Sequence, residues 1–281
     1  MERINMIKNS INRLYSNFSY PGFFFSNFGS LDIPFNKDWK KVAVNLSGGA
    51  DSALLAYILC FIIEKNKLNC TVDVISFIRC WNTRPWQQYV SLGVYTYLKS
   101  RFPKIINERH VTYIPPEIEY GNIGASIITK HYNEPLAGDA IIISSYNTYI
   151  AHNKNLDAVY NGITSNPDKI VNVPGRTFTE DQFTIDELLI HKKSIKSFLL
   201  RPFKYIQKDW VLQQYIDLNI LELYNITRSC EGDITTHEIM HSAVPDVNSY
   251  IDGMEVPICN ECDWCKERQW AEQQVGLAND K

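Results

Sequence analysis

No apolar stretch of this chain is long enough to cross a bilayer. The longest wholly apolar run, Ala53 to Ile63, reads as a buried helix. Net charge is also scarce, at −3, so no global attraction to nucleic acid or membrane is indicated and only a local basic patch would serve such a partner. The aromatic string Gly22-Phe23-Phe24-Phe25 is not preceded by the apolar segment and small-residue cleavage site of a secretory signal. A disulfide framework is disfavoured too, because seven cysteines are an odd number and four of them crowd into the last quarter at metal-ligand spacing. Such usage suits a reducing compartment, and the expected location is the cytoplasm. Internal repeats and low-complexity tracts are absent.

A Walker A loop is missing as well: G-x-x-x-x-G-K-[ST] does not occur, and no lysine occupies the one glycine-rich turn that follows a buried strand. What stands there is Lys41 to Ser52, KVAVNLSGGADS. Val42, Ala43, Val44 and Leu46 make a short, near-continuously apolar strand, and a strongly apolar helix follows. Gly48 and Gly49 let backbone approach a ligand, and Asp51 or Ser52 is placed to cap the helix. A turn of this kind aims free N–H groups and the positive end of a helix dipole at an anion above the strand's carboxyl end. A glycine-rich connector without a ligand is the plain alternative, but it requires neither the aspartate nor the paired serines.

With 281 residues, 45% of them hydrophobic, the chain can bury a core in one large domain or in one domain plus a small appendage. Strand and helix patterns alternate. Val72 to Ile78 and His110 to Ile114 read as buried strands, Pro85 to Lys99 and Ala140 to His152 as helices, Ala158 to Tyr160 and Phe198 to Leu200 as short strands, and Ile206 to Leu218 as an amphipathic helix. Gly162 to Phe183 reads as a long loop. The alternation predicts an α/β fold, a doubly wound and mostly parallel sheet whose ligand site lies beyond the strands' carboxyl ends. Residues 1–40 show no clean periodicity, and their aromatic content predicts an extension packed on the body. The main domain is then 41–226, and 227–281 is a cysteine-rich appendage.

In that appendage Cys259-x-x-Cys262-x-x-Cys265, with Cys230 upstream, supplies four thiolates, the number a closed tetrahedral zinc site needs. Glu231 to Pro257 has too few apolar residues for a core of its own, so metal would contribute much of its order; binding energies of roughly 10 to 16 kcal/mol are typical of such sites. An iron–sulfur cluster is the competing four-cysteine reading. Cys60, Cys70 and Cys80 lie in or beside apolar elements and read as core residues. His237 and His241, four apart, lack a third ligand and read as surface histidines.

Ser47-Gly48-Gly49-Ala50-Asp51-Ser52 resembles the PP-loop of the N-type ATP pyrophosphatases, whose fold is that of the adenine nucleotide alpha hydrolases. These enzymes cleave ATP between the α and β phosphates. Thr227-x-Ser229-Cys230 followed by Cys259-x-Glu261-Cys262-x-x-Cys265-x-x-Arg268 resembles the 7-cyano-7-deazaguanine synthase family within that superfamily. The resemblance implies adenylation of the carboxylate of 7-carboxy-7-deazaguanine, release of pyrophosphate, attack by ammonia, and a second ATP to dehydrate the amide to the nitrile. It implies a homodimer, ATP and Mg2+ as cofactors, and Zn2+ on Cys230, Cys259, Cys262 and Cys265. On the loop, Ser47, Gly48, Gly49, Ala50, Asp51 and Ser52 would hold nucleotide, with Ser47 and Asp51 serving catalysis and Asp51 capping the helix or holding magnesium. Lys208 falls where the family has a lysine before a helix and is a candidate for catalysis by neutralising phosphate charge, with a solvated helix-start lysine as its bland alternative. Asn161, Gly162 and Asp168 fall at the substrate loop, and Arg176 is a candidate in place of a basic residue the family has there.

The family's string after its Pro-Asp step is reduced to Asn166-Pro167-Asp168-Lys169, and Asp139 stands where a basic residue is usual. These departures keep a second acceptor open, an amine on a protein or nucleic acid. A PP-loop sulfurtransferase with an iron–sulfur cluster and a nucleotide-binding subunit without catalysis are the further alternatives.

Overall fold

The computed structural model describes residues 20–79, 87–114, 138–167, 170–171, 176, 185–191, 194–230 and 258–277. The expectations for residues 1–19, for a helix start at Pro85, for Cys80, for Asp168 and for the 231–257 segment with His237 and His241 lie outside the described residues.

The chain enters through an antiparallel hairpin, β1 (Tyr20–Ser26) and β2 (Gly29–Phe35). The sequence shows no periodicity here because Pro21 faces Pro34 and the strands depend on outside donors. Ile33 and Phe35 are fully buried. Tyr160 donates to the Pro34 carbonyl, Trp210 Nε1 to Gly29 O at 3.2 Å and Gln214 Nε2 to Phe25 O at 3.0 Å.

The main sheet follows, with β3 (Lys41–Asn45), β4 (Thr71–Arg79), β5 (Ile106–Ile114), β6 (Ala158–Asn161), β7 (Ile185–His191) and β8 (Ser194–Leu200) in the spatial order β5-β4-β3-β6-β8-β7. All neighbours are parallel except β7, which runs antiparallel on β8. The long loop expected to end at Phe183 therefore gives way to an edge strand, and the expected three-residue strand at Phe198 grows to the full length of β8. Asp186 and Glu187 interrupt the apolar pattern of β7, as charges commonly do on an edge.

Alternation along β3 sorts the core into two layers. Val42 and Val44 join Val72, Val74, Ala158 and Tyr160 beneath α1 (Ala50–Lys65), α2 (Gln87–Arg101) and three later helices, α4 (Lys208–Asp217), α5 (Leu221–Ile226) and α6 (Asp263–Gln274). Ala43, Ile75, Phe77, Val159 and Leu199 face the other way, toward α3 (Gly138–Asn153). The sheet is thus covered on both faces, as the strand–helix alternation predicts. From β3 the chain winds outward to β4 and β5, then returns to β6 on the other side of β3. The strand order reverses between β3 and β6, and a crevice opens at their carboxyl ends, where Asn45 and Asn161 stand in register.

Tyr160→Phe would leave the Pro34 carbonyl buried without its donor. The expected loss, about 1–3 kcal/mol, is read as a lowered urea midpoint at unchanged m-value; an unchanged midpoint would mean that the hairpin is not tied to the sheet.

Candidate active site

The turn from β3 into α1 is held by its own serines. Ser52 Oγ donates to Gly49 O at 3.0 Å and accepts from the Ser47 N–H at 3.2 Å, while the two hydroxyls sit 3.1 Å apart and Gly49 N–H reaches Ser47 Oγ at 3.3 Å. Neither Asp51 nor Ser52 caps α1, contrary to the expectation. Gly49 is the N-cap, in extended conformation and without a side-chain cap. Among the described residues nothing caps the first N–H groups of the helix, which leaves them open to a ligand or solvent. Two glycines permit the crowding. Gly48 has φ +85°, and a Cβ there would stand 2.9 Å from the Ser91 backbone nitrogen. At Gly162, just past β6, a Cβ would stand 2.9 Å from Asp51 O. Tyr215 Oη secures the base of the loop by donating to Ala50 O at 2.7 Å.

Asp51, in the first turn of α1, turns its carboxylate to Lys208, the first residue of α4. Lys208 Nζ donates to both Asp51 oxygens at 2.6 Å across 157 residues of sequence. The lysine is almost wholly buried, so the solvated alternative does not hold. Its ammonium also lies 3.6 Å from Glu267 Oε2 on α6. Glu267 is fully buried and is gripped by both terminal nitrogens of Arg176. Arg176 in turn donates to the Thr164 carbonyl at 2.8 Å, the Ser165 carbonyl at 3.1 Å and the Thr164 hydroxyl. Thr164 returns to Asp51 Oδ2 at 3.4 Å and closes the ring. Two acids and two bases sum to zero charge, the condition under which such groups tolerate burial together. Arg176 also lies over the Trp264 ring at 4.8 Å.

Loop and ring border a cavity of about 240 Å³ at the switch point of the sheet. Ser47, Gly49, Asp51, Ser52, Asn161, Gly162, Arg176 and Lys208 line it, so the structure brings these sequence candidates to one place. Gly48 and Ala50 lie behind the lining, and Asp168 is outside the described residues. Sequence reasoning missed Phe77, Ile143, Thr164 and Trp264 on the wall, Glu267 behind it and Asn45 on the floor. Asn45 ends β3 buried, and neither polar atom of its amide has a partner among the described residues. Its one sequence signal is a polar residue closing an otherwise apolar strand.

The four cysteines meet beside this cavity, with all their Sγ atoms within 4.8 Å of one another. Cys230 and Cys259 sulfurs are 3.4 Å apart and Cys259 and Cys265 sulfurs 3.8 Å. A single ion with four sulfur bonds of about 2.3 Å spaces its ligands by about 3.8 Å, so the donor set fits one metal ion. Backbone amides support it: Cys259 N–H points to Cys230 Sγ and Cys262 N–H to Cys259 Sγ, each at 3.4 Å. Asn260 takes the left-handed backbone (φ 61°) that the Cys-x-x-Cys turn requires. Hydrogen bonding to the Cys262 sulfur pushes the Cys230 thiol up to about 12, and contact with Cys230 raises Cys265 further. Four thiolates would need a cation to offset them, and metal binding here would displace protons.

The cysteine region is docked on the loop itself. Arg228 N–H donates to Gly48 O at 3.0 Å, and Cys230 and Cys265 pack on Val90. Arg268 donates to Thr227 O at 3.0 Å and covers the Tyr224 ring at 4.0 Å. Cys60 and Cys70 are buried elsewhere; burial pushes the Cys70 thiol up to about 12 and Cys60 higher, as inert core thiols require. Asp73, Glu108 and His110 also cluster, toward the amino ends of the strands, but Lys41 at 3.1 Å and Lys154 at 2.7 Å already match their charge.

No family model and no curated protein sequence matches the chain. Among solved structures it is similar to a U34-tRNA thiolase, NcsA, from Methanococcus maripaludis with its 4Fe-4S cluster: 14% identity and a TM-score of 0.40, covering 98% of this chain and 80% of that one. It is similar also to an NMN synthetase from Francisella tularensis, at 14% identity and a TM-score of 0.40, covering 87% of this chain and 90% of that one.

Asn45→Leu, which replaces the unpartnered amide by an apolar group of like size, is expected to raise the urea midpoint of the ligand-free protein by the equivalent of about 1 kcal/mol. A lowered midpoint would show that Asn45 is held by the protein and not kept for a ligand.

Proposed function

We propose that this chain is an ATP-dependent ligase of the PP-loop kind, which activates the carboxylate of a 7-deazaguanine such as 7-carboxy-7-deazaguanine and passes it to an amine. The observation that carries the reading is the pairing of Lys208 with Asp51 at 2.6 Å over the open amino end of α1. A buried cation, a carboxylate and a row of free N–H groups at one switch-point cavity form a site for a polyphosphate. A carboxylate oxygen of the acid attacks the α phosphorus, the bond to the bridging oxygen breaks, and pyrophosphate leaves with the electron pair. The amine then attacks the acyl carbon, AMP departs, and the amine's proton goes to solvent.

The loop of Ser47, Gly48, Gly49, Ala50 and Ser52 would hold the departing pyrophosphate through the Ser47 hydroxyl and the N–H groups of Gly48, Ala50 and Ser52, with Gly49 and the Ser52 hydroxyl keeping the loop in shape, and Lys208 offsets the charge that builds on the leaving oxygens. Asp51, the ring member most open to the cavity, is the group that would hold magnesium, whose chemistry is to neutralise phosphate charge. Asn161 and Gly162 border the acid, with Asp168 as a further candidate. Arg176 serves as the wall behind them, because its Nε and Nη2 and one Nη1 hydrogen are committed to Thr164, Ser165 and Glu267.

The sulfur spacing supports one tetrahedral ion, and zinc suits four thiolates with no position left for water. A cluster of several irons would hold its ligands farther apart, which disfavours the sulfurtransferase alternative. Ammonia is the simplest amine, and a macromolecular amine is the second. A cytoplasmic homodimer completes the proposal.

Purified protein loaded with zinc is expected to release pyrophosphate from ATP and magnesium only when the deazaguanine acid is present, and Lys208→Met to lower that rate by about 10²–10³-fold. The product mass identifies the acceptor as ammonia or a macromolecule. ATP bound without release, acid present, would contradict the enzyme and leave a binding subunit.

A further inference from the structure

We propose that Glu267 is the positioning residue for Lys208, and that it is delivered by the cysteine-bearing helix, so that metal on the four thiolates sets the place of the cation at the phosphate site. The inference deepens the reading of this cavity as a phosphate site and rests on it.

Lys208 has two carboxylate neighbours that differ in kind. Asp51 faces the cavity with 16% of its side chain exposed, whereas Glu267 is wholly enclosed. Any ligand that enters engages Asp51 and competes with its hold on the ammonium. Glu267, 3.6 Å behind, is then the anchor that remains. It cannot turn away, because Arg176 binds both of its oxygens and is itself fastened to Thr164 and Ser165. Glu267 lies two residues after Cys265, and the N-cap of its helix is Cys262. Two metal-site residues thus fix the start of the helix whose second turn carries Glu267. Trp264, between them, lines the cavity against Arg176. The second arm of the cysteine site reaches the loop through Arg228 and Gly48.

The test uses the full chain in metal-loaded and chelator-treated forms, together with metal-loaded Glu267→Gln, which keeps the side-chain shape and removes the charge. Acylation by a water-soluble lysine reagent, mapped by mass spectrometry, reports Lys208. Lys41, at the opposite end of the sheet and paired with Asp73, is the internal control. The expected result is a several-fold rise in Lys208 labelling on chelation and also in Glu267→Gln, with Lys41 unchanged and the metal content of the variant equal to that of the parent. The proposal is overturned if Lys208 labelling stays constant in either case, if Lys41 rises with it, or if the variant loses its metal.

Turnover adds a second readout. Glu267→Gln is expected to lower kcat for pyrophosphate release by about tenfold or more with KM for ATP unchanged or lower, since the freed positive charge still attracts the nucleotide. Equal kcat would overturn the positioning role. Absence of turnover in the parent protein would remove the proposed reaction but leave the labelling result to decide the inference.

Discussion

The ion pair between Lys208 and Asp51 depends on a ring of groups that are individually unfit for burial. An ammonium shut away from water is costly unless a counter-charge and hydrogen bonds replace the solvent. Asp51 supplies the first charge, Glu267 the second, Arg176 balances Glu267, and Thr164 links Arg176 back to Asp51. These residues come from α1, the segment after β6, a stretch before β7, α4 and α6. Five remote parts of the chain are brought together by one electrostatic requirement, and the cavity lies where they meet.

The sheet provides the frame for that ring. Because β3 has β4 on one side and β6 on the other, the loop after β3 and the segment after β6 leave the same edge and press together, with Gly162 against Asp51. The cysteine region then closes the third side. Its two arms, one hydrogen-bonded to Gly48 and one carrying Glu267, make the four-cysteine cluster, remote in sequence from the loop, a direct neighbour of it in space.

Much of this was legible in the residues. The loop from Ser47 to Ser52 was, because glycine, serine and aspartate at fixed spacing leave few other uses, and so were the four cysteines. Parallel strands showed as short apolar runs. Glu267 was not legible: on a helix rich in charge it looks like any solvated glutamate, and only the fold reveals Arg176 and Lys208 around it. The hairpin of Tyr20 to Phe35 was hidden because donors on Tyr160, Trp210 and Gln214, far away in sequence, hold it in place. The expected cap at Asp51 failed for a related reason, since a tertiary partner, Lys208, outcompetes a local backbone bond.

A double-mutant cycle on Arg176 and Glu267 tests the ring most directly. Arg176→Met and Glu267→Met, each alone, strand a buried charge and are expected to cost about 3–5 kcal/mol in urea unfolding. The double variant removes both charges together and is expected to cost far less than the sum, with a coupling of about 2 kcal/mol or more. Additivity to within about 0.5 kcal/mol would contradict the account, because the two groups would then be independent of each other and no ring would hold Lys208 in place.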